Sequence, residues 1–524
     1  MTIRFKNAQF IHLLHICAAF FLFQGVLQAQ FINPDKAALK LLYEATDGDN
    51  WTIPWDTSGN NIADWYGIST NSSNRVARIT MIENNLNGTI PAMNLPQLLY
   101  FYMDEKGLSG TLPSFVASPL LTEITVTNTQ ISGSIPNYQL PNLRTLSLEN
   151  NQLTGNIPNF NLPTLRNLFL VNNQLTGNIP SFNQLQNLEQ LYLSRNQLSG
   201  LLPAFNLPQL EQVNISNNQL SGEIPYLSLF ALSVLNLSNN QLSGSIPDLD
   251  QTSLTYLILH NNQLSGSVPD FNISSLQLLF LENNQLSGEI PNFKLPNLQA
   301  IRLFNNQLSG AIPNFDLPWL LLLYLNNNQL SGKMPDFNCP LLEKLNLSNN
   351  QLTDSIPNLQ CPVLGEFVVA NNQFTGRIPA FNFPLLSIFN VQNNQLEGCI
   401  PDILQQNCPT VIDGNLGGNP DLTTNSWANF CANGEGSCTV TTQQPAFIEN
   451  GILLFPNPSE DRVRIAWETQ NRLFSSIFQL VDSQGRVLKR DLILGNTMEL
   501  DIQSLPAGIY TLLVGNYSTR MIKQ

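Results

Sequence analysis

Apolar and polar positions repeat along most of this chain in one pattern. In Leu143-Arg-Thr-Leu146-Ser-Leu148-Glu-Asn-Asn151-Gln-Leu153 apolar residues alternate with polar ones, the period of a strand with one buried face. The chain must then turn, because the pattern restarts 22 residues later. The second Asn of each copy marks the recurrence, at Asn151, Asn173, Asn196, Asn218, Asn240, Asn262, Asn284, Asn306, Asn328, Asn350, Asn372 and Asn394, in steps of 22 and once of 23. Asn84, Lys106 and Thr129 hold that place in earlier, degenerate copies, making fifteen units. One such unit cannot bury its own apolar face, so neighbours have to stack as a solenoid with a parallel sheet.

Residue types fit that coil. Asn151 and its equivalents can turn an amide inward to satisfy backbone groups that the turn leaves unpaired, which predicts a structural Asn ladder. Gly155 permits a tight bend and Pro158 fixes an extended return. Phe160, with Phe182, Phe205, Phe271, Phe293, Phe315, Phe337 and Phe381, predicts an aromatic spine inside the coils.

Open solenoid ends need caps. At the front, Asn33-Pro34-Asp35 reads as a helix start with Pro at the first helical position. Ala37, Ala38, Leu41 and Leu42 supply its apolar face and Gly48 its end; Trp51, Trp55 and Trp65 follow. At the back, Cys399, Cys408, Cys431 and Cys438 suggest two disulfides with three possible pairings. Cys339 and Cys361 occupy equivalent positions one coil apart and read as buried thiols or a cross-coil bridge. After a Thr/Gln linker at 439–450 come short alternating runs separated by turn signals, the pattern of a small all-β sandwich.

Charge and the N-terminus set the compartment. Residues 1–29 have two bases, a short apolar core and Ala29 before Gln30, the layout of a secretory signal peptide. No later segment is apolar for long enough to cross a bilayer as a helix, so no transmembrane segment is expected in the mature chain. The formal charge is -14; residues 450–524 hold eight bases and seven acids, so residues 30–449 hold 13 bases and 30 acids. A body of net charge -17 disfavours nucleic acid as a partner.

The repeat resembles the plant-type leucine-rich repeats with their Leu-x-Gly-x-Ile-Pro phrase, over roughly residues 76–400. That resemblance implies a leucine-rich-repeat solenoid. Most units here have 22 residues, shorter than is usual for that type (about 24), and the missing residues fall on the convex side, which points to a mostly non-helical convex face. The front segment resembles the plant-type N-terminal cap but lacks its flanking cysteines, so aromatic packing alone has to hold it. The last segment resembles the type-A sorting domain of the type IX secretion system of the Bacteroidota, through Phe455-Pro456-Asn457-Pro458-Ser459, Gly485, Leu505-Pro-Ala-Gly508-Ile-Tyr510 and Lys523-Gln524. This implies handling by secretion machinery, passage across the outer membrane, removal of the domain, and release or surface attachment. The expected domains are a signal at 1–29, a cap at 30–75, repeats at 76–398, a second cap at 399–438, a linker at 439–450 and the sorting domain at 451–524.

Chemistry is sparse. Only His260 remains after the signal, Gly-x-Ser-x-Gly, His-Glu-x-x-His and P-loop motifs are absent, and no metal or cofactor is expected. Binding is the expected function. Positions alternating with the buried Leu should line the concave face: Tyr256, Ile258 and His260, then Leu278, Phe280 and Glu282, then Ala300, Arg302 and Phe304, then Leu322, Tyr324 and Asn326. The aromatic members, with Arg302, form a candidate ligand patch, and Tyr192 with Phe169 a thinner one. The expected role is recognition or adhesion toward a protein or polysaccharide. Inhibition of a foreign hydrolase, a structural surface or biofilm role and, more remotely, ice binding are the alternatives.

Overall fold

The structure, a computed structural model, describes residues 33–438 except 60, 250 and 338, together with the strands and some turns of residues 448–523. The signal segment and the linker at 439–447 lie outside the described residues. Two compact units divide the chain, Met1–Gln219 and Leu220–Gln524.

The first unit opens with the helix Lys36–Ala45. It buries Ala38, Leu39, Leu42 and Tyr43, while Leu41 is 51% exposed. The apolar face therefore differs from the expected one, because the helix starts after Asp35 and Pro34 lies outside it. The Asp35 carboxylate, 1% exposed, is held by Arg75 Nε (3.0 Å) and Nη2 (2.6 Å) and by the Val76 amide (2.7 Å). Tyr43, Trp51, Trp55 and Trp65 pack ring against ring, with centroids 4.8–5.9 Å apart. Aromatic packing thus shares the cap with a buried ion pair, which corrects the expectation that it acts alone.

From Val76–Ile82 onward the strands are parallel, through Tyr100–Asp104, Glu123–Thr127, Thr145–Ser147, Asn167–Phe169, Gln190–Tyr192 and Gln212–Asn214. Each pairs with the equivalent residues of the next copy, as Leu146 does with Leu168 and Leu191 with Val213. The second unit continues the same design with Val234–Asn236, Tyr256–Ile258, Leu278–Phe280, Ala300–Arg302, Leu322–Tyr324, Lys344–Asn346, Glu366–Val368 and Ile388–Asn390. Among the described residues no helix lies between the first of these strands and the last. The fold class is a leucine-rich-repeat solenoid followed by a small all-β domain.

A second row of parallel strands, on the Gln-Leu-Ser/Thr-Gly phrase, was not expected from the alternation. Examples are Gln152–Asn156, Gln174–Gly177 and Gln197–Leu201 in the first unit, and Gln241–Ser245 through Gln351–Thr353 in the second. One left-handed residue stands two positions before each of these strands and another falls near its end, as Asn150 (φ 56°) and Gly155 (φ 76°) do for Gln152–Asn156.

The Asn of the ladder fills the corner between the two rows. Asn350 donates through Nδ2 to the carbonyls of Leu325 (3.0 Å) and Leu347 (3.1 Å), and its Oδ1 accepts the Leu330 amide (3.0 Å). Each such amide thereby ties its own coil to the preceding one. Phe160, Phe182, Phe205, Phe271, Phe293, Phe315, Phe337 and Phe381 are all buried, and Phe271, Phe293, Phe315 and Phe337 stack successively at 5.9–6.5 Å.

The second unit closes with the 3-10 helix Asp402–Asn407, the strand Asp413–Asn415 and the helix Trp427–Asn433, joined by a Cys408–Cys431 disulfide. Asn419 extends the ladder into this cap, donating to Val391 (3.0 Å) and Leu416 (2.8 Å). The C-terminal domain has two four-stranded antiparallel sheets. One carries Ile452–Phe455 and Arg462–Trp467, the other Ile477–Val481 and Gly508–Val514. Among its described residues Ile465, Phe478, Leu480, Val481, Leu500, Ile502, Tyr510 and Leu512 are buried.

Candidate ligand-binding surface

Strand pairing in the second unit puts Ile258, Phe280, Arg302 and Tyr324 side by side on successive strands. Tyr256, Leu278, Ala300 and Leu322 form a parallel row two residues before them. His260, Glu282 and Phe304 lie two residues beyond. All five predicted ligand residues of this unit (Tyr256, Phe280, Arg302, Phe304 and Tyr324) are thus on one stretch of sheet. Tyr192 belongs to the first unit, where its ring packs at 5.1 Å from Phe169 and its hydroxyl donates to Gln212.

These side chains are packed against one another more tightly than the alternation suggests. Tyr256 is 36% exposed, the other aromatic residues of the patch are half-buried, and Ala300 and Glu282 are buried. The Arg302 guanidinium lies 4.4 Å over the Phe280 ring and 3.8 Å from Glu282 Oε1. Phe304 meets Tyr324 edge-on at 6.4 Å. The Tyr324 hydroxyl donates to Glu366 Oε2 at 2.8 Å; burial first, and then Glu366, pushes its pKa up. Reasoning from the aromatic residues missed Glu366, although it stands two coils beyond Leu322 in the same row.

Three buried polar atoms here have no partner in the protein: His260 Nδ1, Glu282 Oε2 and Arg302 Nε. An unmade buried hydrogen bond costs about 1–3 kcal/mol. Burial raises the Glu282 pKa, with Arg302 opposing it weakly, and burial followed by Arg302 lowers that of His260. A ligand that both donates and accepts hydrogen bonds would satisfy these atoms. Among the described residues no group of His, Cys, Asp or Glu is arranged to hold a metal ion.

Leucine-rich-repeat models match residues 163–204, and also 142–161, 209–228, 231–251, 253–272 and 341–361. A secretion-system C-terminal sorting domain model matches residues 453–524. The chain is a leucine-rich-repeat protein with a type IX sorting domain. Among solved structures, this leucine-rich-repeat protein is similar to a plant peptide hormone receptor, RGFR1, in complex with RGF2, at 34% identity and a TM-score of 0.62 over 64% of this chain and 58% of the receptor. It therefore spans less than two thirds of that receptor's length. A TDR receptor is similar at 26% identity and a TM-score of 0.53, over 66% of this chain and 73% of the other. No curated protein matches the chain.

In the sorting domain Tyr510 is buried and its hydroxyl donates to the Pro506 carbonyl at 2.6 Å. Gly508 pairs through its backbone with Lys523. Pro456, Asn457 and Pro458 lie outside the described residues. The sorting domain marks this leucine-rich-repeat protein for export to the cell surface or beyond. No helix among the described residues is long and apolar enough to cross a membrane. Of the capping cysteines, Cys408 bonds Cys431 and Cys399 is disulfide-bonded, while the side chain of Cys438 lies outside the described residues. Cys339 and Cys361 are free, buried thiols.

Proposed function

We propose that this protein is an exported, non-catalytic recognition module whose ligand docks on the patch around Phe280, Arg302, Phe304 and Tyr324, with Tyr256 at its border. The observation that carries this reading is the coincidence of two features in one place. Half-buried aromatic rings and an arginine, the residues that most often anchor interfaces, surround three buried polar atoms without partners. Other coils carry small polar groups at such positions, for instance Gln212 and Asn214 in the first unit and Asn346 in the second.

Between protein and polysaccharide, a protein segment is the better fit for this patch. It brings apolar side chains for the half-buried rings together with the donors and acceptors that Glu282, His260 and Arg302 lack, and the similar receptor was solved with a peptide hormone. The test is to screen the purified chain against surface proteins, peptide pools and polysaccharides, then repeat any interaction with the Phe280→Ser/Tyr324→Ser variant. Affinity should fall at least a hundredfold, about 2.7 kcal/mol or more, while the thermal transition persists. Unchanged affinity in the variant would place the ligand elsewhere.

A further inference from the structure

In the second unit the corner and second strand row of successive coils carry a uniform polar stripe. The residue after each ladder Asn is Gln, from Gln241 in steps of 22 to Gln395. Every one of these side chains is exposed, and among the described residues none of them is hydrogen-bonded. Two residues further, the same step from Ser243 to Thr375 gives a hydroxyl each time. Two residues before each Gln, from Asn239 to Asn393, stands a third line of side chains, all Asn. Their amides form an unbroken row in which Asn261 donates to Asn239 (2.7 Å) and so on to Asn393 and Asn371 (2.6 Å).

Only the Asn line has a backbone reason, since its φ is positive, as at Asn305 (53°). The hydroxyl residues are mostly half-buried, and at the same place in the first unit Ser109 and Ser132 bond the backbone of the preceding coil, whereas an exposed strand position has no need of Gln. The adjacent exposed line shows what the copies do when unconstrained, for it reads Ser245, Ser267, Glu289, Ala311 and Lys333. Outward positions of the first sheet have diverged as freely, from Tyr256 to Lys344 and Glu366. Duplication without selection would have left all of these lines equally uniform or equally scattered. The exposed Gln line has stayed uniform while its exposed neighbours changed, which points to a contact outside the coil.

We propose that this stripe binds a long, uncharged, polyhydroxylated chain, a neutral glycan laid across the strands. Amides and hydroxyls both donate and accept, as sugar hydroxyls do. Coils follow one another at the inter-strand step, about 4.7–4.9 Å, so each adds the same weak contact and avidity accumulates along a polymer. From Asn239 to Thr375 the three lines contain no charged side chain, which gives an anionic polymer or nucleic acid nothing to pair with. They contain no aromatic or aliphatic side chain either, so a protein partner or a second copy would find no apolar core to bury.

The experiment uses the full chain with cellulose and a soluble neutral β-glucan as probes and polygalacturonate as the charged comparison. Wild type should bind at least one neutral glucan and not polygalacturonate. Gln285→Glu/Gln307→Glu/Gln329→Glu should weaken that binding tenfold or more. Ser245→Glu/Ser267→Glu/Ala311→Glu, which adds the same charge beside the stripe, should weaken it less than threefold. Ser265→Ala/Ser287→Ala/Ser309→Ala provides a second, uncharged disruption, and thermal unfolding of each variant checks the fold. Failure of wild type to bind either glucan, or equal loss in the two charged variants, overturns the proposal. So does a loss of self-association in the Gln variant without an effect on glucan, because the stripe would then be a contact between copies.

Discussion

At the scale of single residues, two asparagines side by side do different work. The second of each pair is inward and saturated. Asn350→Ala would strand the carbonyls of Leu325 and Leu347 and the Leu330 amide at once, so a destabilisation of about 1–3 kcal/mol is expected. Gln351→Ala, one residue away but exposed, should stay within about 0.5 kcal/mol. Denaturant unfolding with amide exchange at Leu330 distinguishes them, and equal effects would contradict the ladder's role. The ladder was legible because its spacing is fixed. The first Asn was not read at all, since a left-handed φ leaves no mark on hydrophobic periodicity. Glu282 belongs to this scale too. Its folded pKa is raised by burial, so the folded state holds the proton more tightly than the unfolded chain. Stability from this group is therefore present below the ordinary carboxylate range and is lost as pH rises through the raised value. Glu282→Gln should flatten the decline in stability as pH rises above the ordinary carboxylate range and leave the neutral-pH midpoint equal or higher. A lower midpoint at neutral pH would mean that the Arg302 pairing outweighs desolvation.

At the scale of elements, the strands with alternating Leu were read correctly and the second row of strands was not. Gln-Leu-Ser-Gly is too short to establish a period, and its pairing partner is the next copy rather than anything nearby in sequence. The patch was half legible for a related reason. Register arithmetic brought Phe280, Arg302 and Tyr324 together, but the depth of their packing and the Tyr324–Glu366 bond depend on side-chain length across two coils. The N-terminal cap shows the same limit. Aromatic residues announced it, whereas the Asp35–Arg75 pair joins residues 40 apart with no motif between them. Arg75→Ala should destabilise that cap by roughly 3 kcal/mol, because it leaves a carboxylate that is 1% exposed without its guanidinium. Limited proteolysis near Trp51 reads the result. A cap as resistant as wild type would return the whole burden to the tryptophan cluster.

At the scale of the whole molecule, the repeats and the sorting domain are differently built parts. Coils are parallel, repetitive and acidic, whereas residues 450–524 are unrepeated and nearly balanced in charge, with eight bases and seven acids, and their described strands are antiparallel. The sorting domain has its own buried residues, including Tyr510, whose hydroxyl fastens the turn at Pro506. If sorting resides there, ending the chain at residue 438 should leave the protein cell-associated and keep at least nine tenths of it out of the medium and off the surface. Tyr510→Ala should reduce export by a smaller factor, through loss of its core ring and turn bond. The Phe280→Ser/Tyr324→Ser variant should travel at the wild-type level because machinery that reads the sorting domain has no use for the solenoid patch. Fractionation with surface proteolysis measures all three. Normal export of the truncated chain would show that the solenoid carries its own address. A block in the patch variant with the sorting domain intact would instead show that the cell inspects the folded coils before release.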